Sequence, residues 1–362
     1  MESLEQTQAA ILDAPEVAII DDSVEESVGI DEYAISSYGL DFDVEGIVRR
    51  YNRGDIVIPE FQRKYVWRMS QASRFVESLL LGLPVPGIFL YREDDTRELT
   101  VIDGQQRILT LHFFYEGVLE NGRLFQLSNL ASKFDGQTYK DLEIEDRRKL
   151  DDSVIHATIV RQEKPEDDGS SKFSIFERLN TGGTNLHPQE IRSAIYSGPF
   201  CEVLVKMNKN ESWRKLFGKP NKRKRDEELI LRFLALFHNS ENYRPSMTRF
   251  LNEFMLAKRN LEDSKLLEME NVFNRTTTTI LKKIGDDAFK PQKSINAAVL
   301  DAIMVGVATR LKMGEINGGL VSQYKELLEN PEFDNSISVG TSQGERVRQR
   351  IMLAVKAFAD AE

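Results

Sequence analysis

By type and spacing, the residues best suited to chemistry are Asp103-Gly104-Gln105-Gln106-Arg107. The apolar run Leu99 to Ile102 reads as a strand, and Asp103-Gly104 as a tight turn in which glycine can take a positive φ. Ile108, Leu109, Leu111, His112, Phe113 and Tyr115 then supply a helical apolar face. A helix starting there leaves backbone N–H groups that favour an anion. Arg107 in its first turn adds a fork of donors suited to phosphate, and Asp103 is placed to orient that arginine or to sit near a metal. A bare strand-to-helix corner carrying an Arg–Asp surface pair accounts for the same spacing. Both readings stand, since the run is neither a Walker loop nor a dinucleotide fingerprint.

Three further stretches carry polar or cationic groups in unusual company. Ile58 to Trp67 mixes Phe61, Gln62, Arg63, Lys64, Tyr65 and Trp67, a set suited to stacking on a base while holding a phosphate, or to plain core packing. Asn180-Thr181-Gly182-Gly183-Thr184-Asn185-Leu186 is dense in amide, hydroxyl and glycine. Pro188 then opens a helix bearing Glu190, Arg192 and Ser193. This is a second anion or sugar site, or an ordinary interhelix loop. Lastly, Arg214, Lys215, Lys219, Lys222, Arg223, Lys224 and Arg225 put seven cations into twelve residues, with Arg346, Arg348 and Arg350 near the last helix. Such runs are solvated faces or grips on a nucleic-acid backbone.

The elements that must position these groups follow from periodicity. A helix over Val44 to Tyr51 and a strand over Ile56 to Pro59 precede a helix that Ser70 caps, with Phe75, Val76, Leu79 and Leu80 inward. Strands over Gly87 to Tyr91 and Glu98 to Ile102 flank the polar turn Asp94 to Arg97. Asn121-Gly122 marks a hairpin. A polar helix (Ile144 to Leu150), a strand (Val154 to Val160), a charged loop (Lys164 to Ser171) and a helix (Phe173 to Leu179) come next. After residue 200 strand signals cease, and helical periods recur over Asp226 to Phe237, Met247 to Lys258, Leu261 to Ile284, Ile295 to Leu311, Val321 to Leu328 and Gly344 to Phe358.

Length and composition bound the class. A chain of 362 residues with 41% hydrophobic and 9% aromatic content is a globular protein long enough for two domains. It has no apolar run of the roughly twenty residues a membrane-spanning helix needs. The start, Met1 to Glu5, lacks a basic and apolar leader. The single cysteine, Cys201, forms no disulfide framework or cysteine-rich zinc site. We therefore expect a cytoplasmic protein. The net charge of −10 is uneven: residues 1–40 hold ten acidic residues and no Lys or Arg, which leaves 48 acidic against 48 basic elsewhere. An acidic arm on a neutral body does not exclude a basic nucleic-acid patch. The expected organisation is an acidic flexible arm (1–41), an α/β domain (42–200) and an all-helical domain (201–362), an α+β chain.

With Phe61-Gln62-Arg63, Tyr65, Trp67, the Asp103-Gly104-Gln105-Gln106-Arg107 box and the Asn180-Thr181-Gly182-Gly183 loop in order, the chain resembles the N-terminal domain family of GmrSD-type modification-dependent restriction systems, over roughly residues 42–200. The resemblance implies a small ParB/sulfiredoxin-like α/β fold that binds a nucleoside triphosphate, alone or with Mg²⁺, and hydrolyses it in defence against foreign or modified DNA. Carried over by position, Asp103, Gln105, Gln106 and Arg107 are the implied catalytic set. Gln62, Arg63, Gly104, Arg107, Asn180, Gly183 and Glu190 are the implied nucleotide contacts. Tyr65, Trp67, Lys222, Arg223, Lys224 and Arg225 are the candidate DNA contacts, and no protein metal site is assigned. Glu60, Glu177 and Glu190 stand level as candidate general bases. Two-part members of these systems carry an HNH-like nuclease domain built on histidine and metal ligands. Here the helical half offers His238 in an apolar helix and His187 before Pro188, with no clustered set. If DNA is cut, either a separate nuclease subunit does so or the α/β domain does so in an unusual way. Two other classes are kept: a non-catalytic DNA-binding or sensing module, and a regulatory protein acting through protein contacts.

Overall fold

The computed structural model describes residues 19–21, 34–59, 65–92, 98–164, 170–179, 187–338 and 340–361. Its first described strand, β1 (Ile19–Ile20), lies within the unit formed by Met1–Val28 and His187–Glu362, whereas Gly29–Leu186 forms the other unit. The chain is α+β, with a sheet in the earlier unit and helices dominating the later one.

In the sheet unit the elements run β2 (Ala34–Asp43), α1 (Val44–Arg53), β3 (Ile56–Val57), α2 (Met69–Leu80), β4 (Ile88–Arg92), β5 (Leu99–Asp103), α3 (Gln105–Glu116), α4 (Ile144–Asp151), β6 (Val154–Lys164) and α5 (Ser170–Leu179). The sheet order is β2-β6-β4-β5-β3. β2 and β6 are antiparallel, as are β4 and β5, while β4–β6 and β3–β5 are parallel. Alternation sends Ile88, Leu90, Val101, Ile155, Ala157 and Ile159 to one face. There they meet Ile47 of α1, Val76 of α2, and Leu111 and Phe114 of α3 in one core. The other face is also buried at Tyr91, Ile102 and Val160, and α5 contacts β5.

The acidic arm expected over 1–41 is corrected at both places where it is described. Residues 34–41 belong to β2, a strand in register with β6 from Ala34↔Lys164 to Asp43↔Val154. β1 pairs in parallel with Ile295–Asn296, and Asp21 is ion-paired. Both partners lie more than a hundred residues away, so the pairing itself cannot be read locally, although Tyr38, Leu40 and Phe42 alternate along β2. The rest of that arm lies outside the described residues. The same ladder carries β6 to Lys164, into the stretch expected to be loop. Helix α2 also differs: its N-cap is Arg68, not Ser70, because the Gln71 side chain accepts the Arg68 N–H at 2.9 Å.

The helical unit contains α6 (Pro188–Ile195), α7 (Pro199–Asn208), α8 (Glu211–Phe217), α9 (Arg225–Asn239), α10 (Met247–Lys258), α11 (Asp263–Lys283), β7 (Ile295–Asn296), α12 (Ala297–Leu311), α13 (Leu320–Glu329), α14 (Pro331–Ser338) and α15 (Gly344–Phe358). α12 is apolar on nearly every side and is packed by α9, α11, α14 and α15. Gly306 lets α15 approach closely, since a Cβ there would lie 2.8 Å from Phe358 and 3.1 Å from Ala354. The one charged group in the middle of α12, Asp301, is buried and joined by Arg232 (2.7 Å) and Arg350 (2.8 Å), and Arg232 also binds Asp21 (2.7 Å). No described helix is long and apolar enough to cross a membrane.

Candidate functional site

The corner between β5 and α3 is fixed by backbone geometry. Gly104 is buried at φ 105° and ψ 4°, a left-handed conformation that L side chains avoid. A Cβ there would lie 2.4 Å from Ile88 Cγ2, in the neighbouring strand. Position 104 therefore admits glycine alone, on grounds of both torsion and space. No side chain caps the helix that begins at Gln105, so its first turn presents uncapped dipole to whatever lies before it.

Arg107 sits one turn along, largely buried, with Nη2 donating to Asp103 Oδ2 at 2.6 Å. Asp103 is half exposed at the end of β5, opposite Phe89 in β4. The pair fixes the plane of the guanidinium, and the Arg107 Nε is buried with no hydrogen-bond partner. A buried donor without an acceptor is costly unless something fills it.

Gln106, expected among the catalytic residues, has a positioning task. Its Oε1 accepts the backbone N–H groups of Val66 (2.9 Å) and Trp67 (3.3 Å), which ties the upstream box to α3. One turn on, Thr110 Oγ donates to the Gln106 carbonyl and lies 2.9 Å from the Tyr65 hydroxyl. Burial raises the Tyr65 pKa, with the Thr110 hydrogen bond opposing. Tyr65 packs edge-on against Phe113 and Trp67 against Phe75, both half buried. The two aromatics expected to contact DNA are thus held by the fold, and their rings are already engaged. Gln105 is half buried on the same turn. Gln62, Arg63, Asn180 and Gly183 lie outside the described residues, as does Glu60.

Glu190, expected as a nucleotide contact or base, is a helix cap: His187 N–H donates to its Oε2 at 2.7 Å at the start of α6. Behind that cap lies a buried polar cluster that sequence reading did not assemble. Arg192 donates to Glu228 (2.5 Å), Gln189 (3.1 Å) and Asn252 (2.8 Å), and His187 Nδ1 lies 3.8 Å from Glu228. Burial, the largest influence, lowers the His187 pKa. The signal that could have found it is the run Asp226-Glu227-Glu228 at the start of α9, three acids all buried in the first turn.

The cationic run divides in two. Arg214 binds Asp226 (3.0 Å) and stacks over Trp213 and Phe217, Lys224 reaches Glu227 (3.7 Å), and Arg225 donates to the Ile19 carbonyl (3.5 Å). All three thus have partners within the fold, Lys224 and Arg225 being among the candidate DNA contacts. Lys215, Lys219, Lys222 and Arg223 are exposed. Near the last helix, Arg350 is buried on Asp301 and the Thr341 carbonyl, and Arg348 donates to the Tyr243 carbonyl at 3.2 Å. Among the described residues no group of three or more His, Cys, Asp and Glu side chains is arranged to hold a metal ion.

A comparison with curated proteins gives no match. A family model described as the GmrSD restriction endonuclease N-terminal domain matches residues 44–197. That span begins at the first residue of α1 and takes in the Gly104 corner, α5 and the Glu190 cap. Over residues 44–197, the span that holds the glycine corner, the chain is thus similar to the GmrSD restriction endonuclease N-terminal domain.

Proposed function

We propose that the chain serves restriction by binding a nucleoside triphosphate in the cytoplasm, with the phosphates at the Gly104 corner of a ParB/sulfiredoxin-like unit. The observation that carries this reading is a single turn combining a glycine-only corner, an uncapped helix start and a guanidinium held by Asp103 with a buried Nε–H to spare. Oriented N–H donors and a fixed cation favour a phosphate, and a guanidinium already pinned loses less freedom on binding it. Asp103 holds Arg107 through Oδ2, and a Mg²⁺ bound with the nucleotide would be coordinated by phosphate oxygens, with the half-exposed Asp103 carboxylate beside it. Hydrolysis is the chemistry such a site supports, with the helix start stabilising charge that develops on the phosphates. Strand scission then belongs to a separate nuclease subunit.

The test is a thermal-shift screen of ATP, GTP, CTP and UTP, with and without Mg²⁺, on wild type and Arg107→Ala. One nucleotide raises the wild-type melting temperature, by the equivalent of ~2.7 kcal/mol at a hundredfold excess over Kd, and the variant loses that shift while remaining folded. No shift with any nucleotide, or an equal shift in the variant, removes the reading. Phosphate release measured on the nucleotide that shifts then reads hydrolysis directly.

A second reading, contact with a DNA backbone, rests on the four exposed cations around Gly218-Lys219-Pro220. Four phosphate contacts give a log–log salt slope of about −3.6, and the Lys222→Ala, Arg223→Ala double variant flattens it by about 1.8. An unchanged slope dismisses this loop as the contact.

A further inference from the structure

The two edges of the sheet are unlike. β3 is two residues long, too short to template another strand, whereas β2 runs for ten residues. Among the described residues β2 pairs with β6 on one side only. Its outer stretch, Ser36-Ser37-Tyr38-Gly39-Leu40-Asp41, carries one charge, no proline and no bulge, the register shift lying at Ala34/Ile35. Natural edge strands are guarded by lysine, proline, bulges or short length, and this one has none of those guards along its middle. It also exposes two large apolar side chains on the core-side face, Tyr38 at 42% and Leu40 at 43%.

The strand is complementary to itself. An antiparallel pairing about a dyad at Gly39 sets Tyr38 of each copy against Leu40 of the other on one face, an aromatic–aliphatic cross-strand pair made twice. On the opposite face it sets Ser37 against Asp41. That carboxylate already holds His156 through Oδ1 at 2.8 Å and keeps an oxygen for a hydroxyl. Two registers further along the strand do worse. Centring on Leu40 turns Tyr38 toward Phe42, which is already buried, and centring on Asp41 brings two carboxylates face to face. Gly39 itself is tightly backed, since a Cβ there would lie 2.6 Å from His156 Cε1, so its place on the dyad stays flat.

We propose that a second copy of this chain docks β2 against β2, antiparallel about Gly39, making one continuous sheet from two five-stranded ones. The arrangement is isologous, so every contact is made twice and the assembly closes as a dimer.

Sedimentation velocity on the full chain over a concentration series tests this with Ser37→Asp and Ser37→Lys, both at an exposed position, each checked for an unchanged circular dichroism melt. Wild type forms a reversible dimer. Ser37→Asp, which places a second carboxylate opposite Asp41 twice, weakens it on the order of fivefold to tenfold, and Ser37→Lys tightens it by a similar factor. A chain monomeric at every concentration overturns the proposal and leaves the edge to a strand of another sequence. A dimer indifferent to both substitutions overturns it too.

Discussion

At Gly104 and Arg107 the chemistry of the corner is a matter of single atoms. Glycine is required because the torsion is left-handed and because Ile88 fills the space a Cβ would take. Gly104→Ala therefore combines backbone strain with overpacking and costs about 2–5 kcal/mol. Chemical denaturation reads this directly, and a loss under 1 kcal/mol would mean the corner relaxes easily. The Asp103–Arg107 pair is different in kind. With Asp103 half exposed it contributes little to stability, and its value lies in orientation. Residue identity made the Asp-Gly turn and the nearby arginine legible in the sequence. The ion pair was one of two roles left open for Asp103, and the turn of helix that brings Arg107 back over the strand end forms that pair through Oδ2.

Elements bind the boxes to one another. Gln106 Oε1 collects the N–H groups of Val66 and Trp67 across forty residues of sequence, so the upstream box is held to α3 by one amide. Gln106→Ala removes that acceptor. Because Val66 is exposed and Trp67 half buried, the global cost is modest, about 0.5–1.5 kcal/mol. The sharper readout is local: amide exchange at Val66 and Trp67 accelerates by roughly the same free energy, while α3 beyond Thr110 stays protected. Exchange rates unchanged at both amides would break the link. Periodicity located α3, β4 and β5 well because each is stabilised by its own apolar alternation. It was passed over at β2, where Tyr38, Leu40 and Phe42 do alternate with Ser37, Gly39 and Asp41 but sit beside a run of acidic residues, and it failed at the polar far end of β6, Arg161 to Lys164, where strand formation depends on the ladder itself.

Over the whole molecule, the largest departure from the sequence-based picture is the fate of the acidic N-terminal region. Asp21 is 3% exposed and meets Arg232, which with Asp301 and Arg350 makes a buried set of two cations and two anions. Asp21→Asn leaves that set with an uncompensated positive charge and costs about 3–5 kcal/mol. The check is the denaturation midpoint of the helical unit followed by its tryptophan, Trp213. A midpoint equal to wild type would show that Asp21 is not needed to balance the charge.

Composition, period and the three boxes were enough to determine an α+β chain, a sheet-bearing portion before a helical one, the glycine corner and the resemblance that the family model bears out over residues 44–197, because each is written in neighbouring residues. Tertiary structure alone decided which charges are free to act. Glu190 became a cap, Arg214 and Arg225 became struts, Gln106 a tie and Asp21 a buried counter-ion, since a charged side chain's role depends on what the fold sets beside it and how much water it removes.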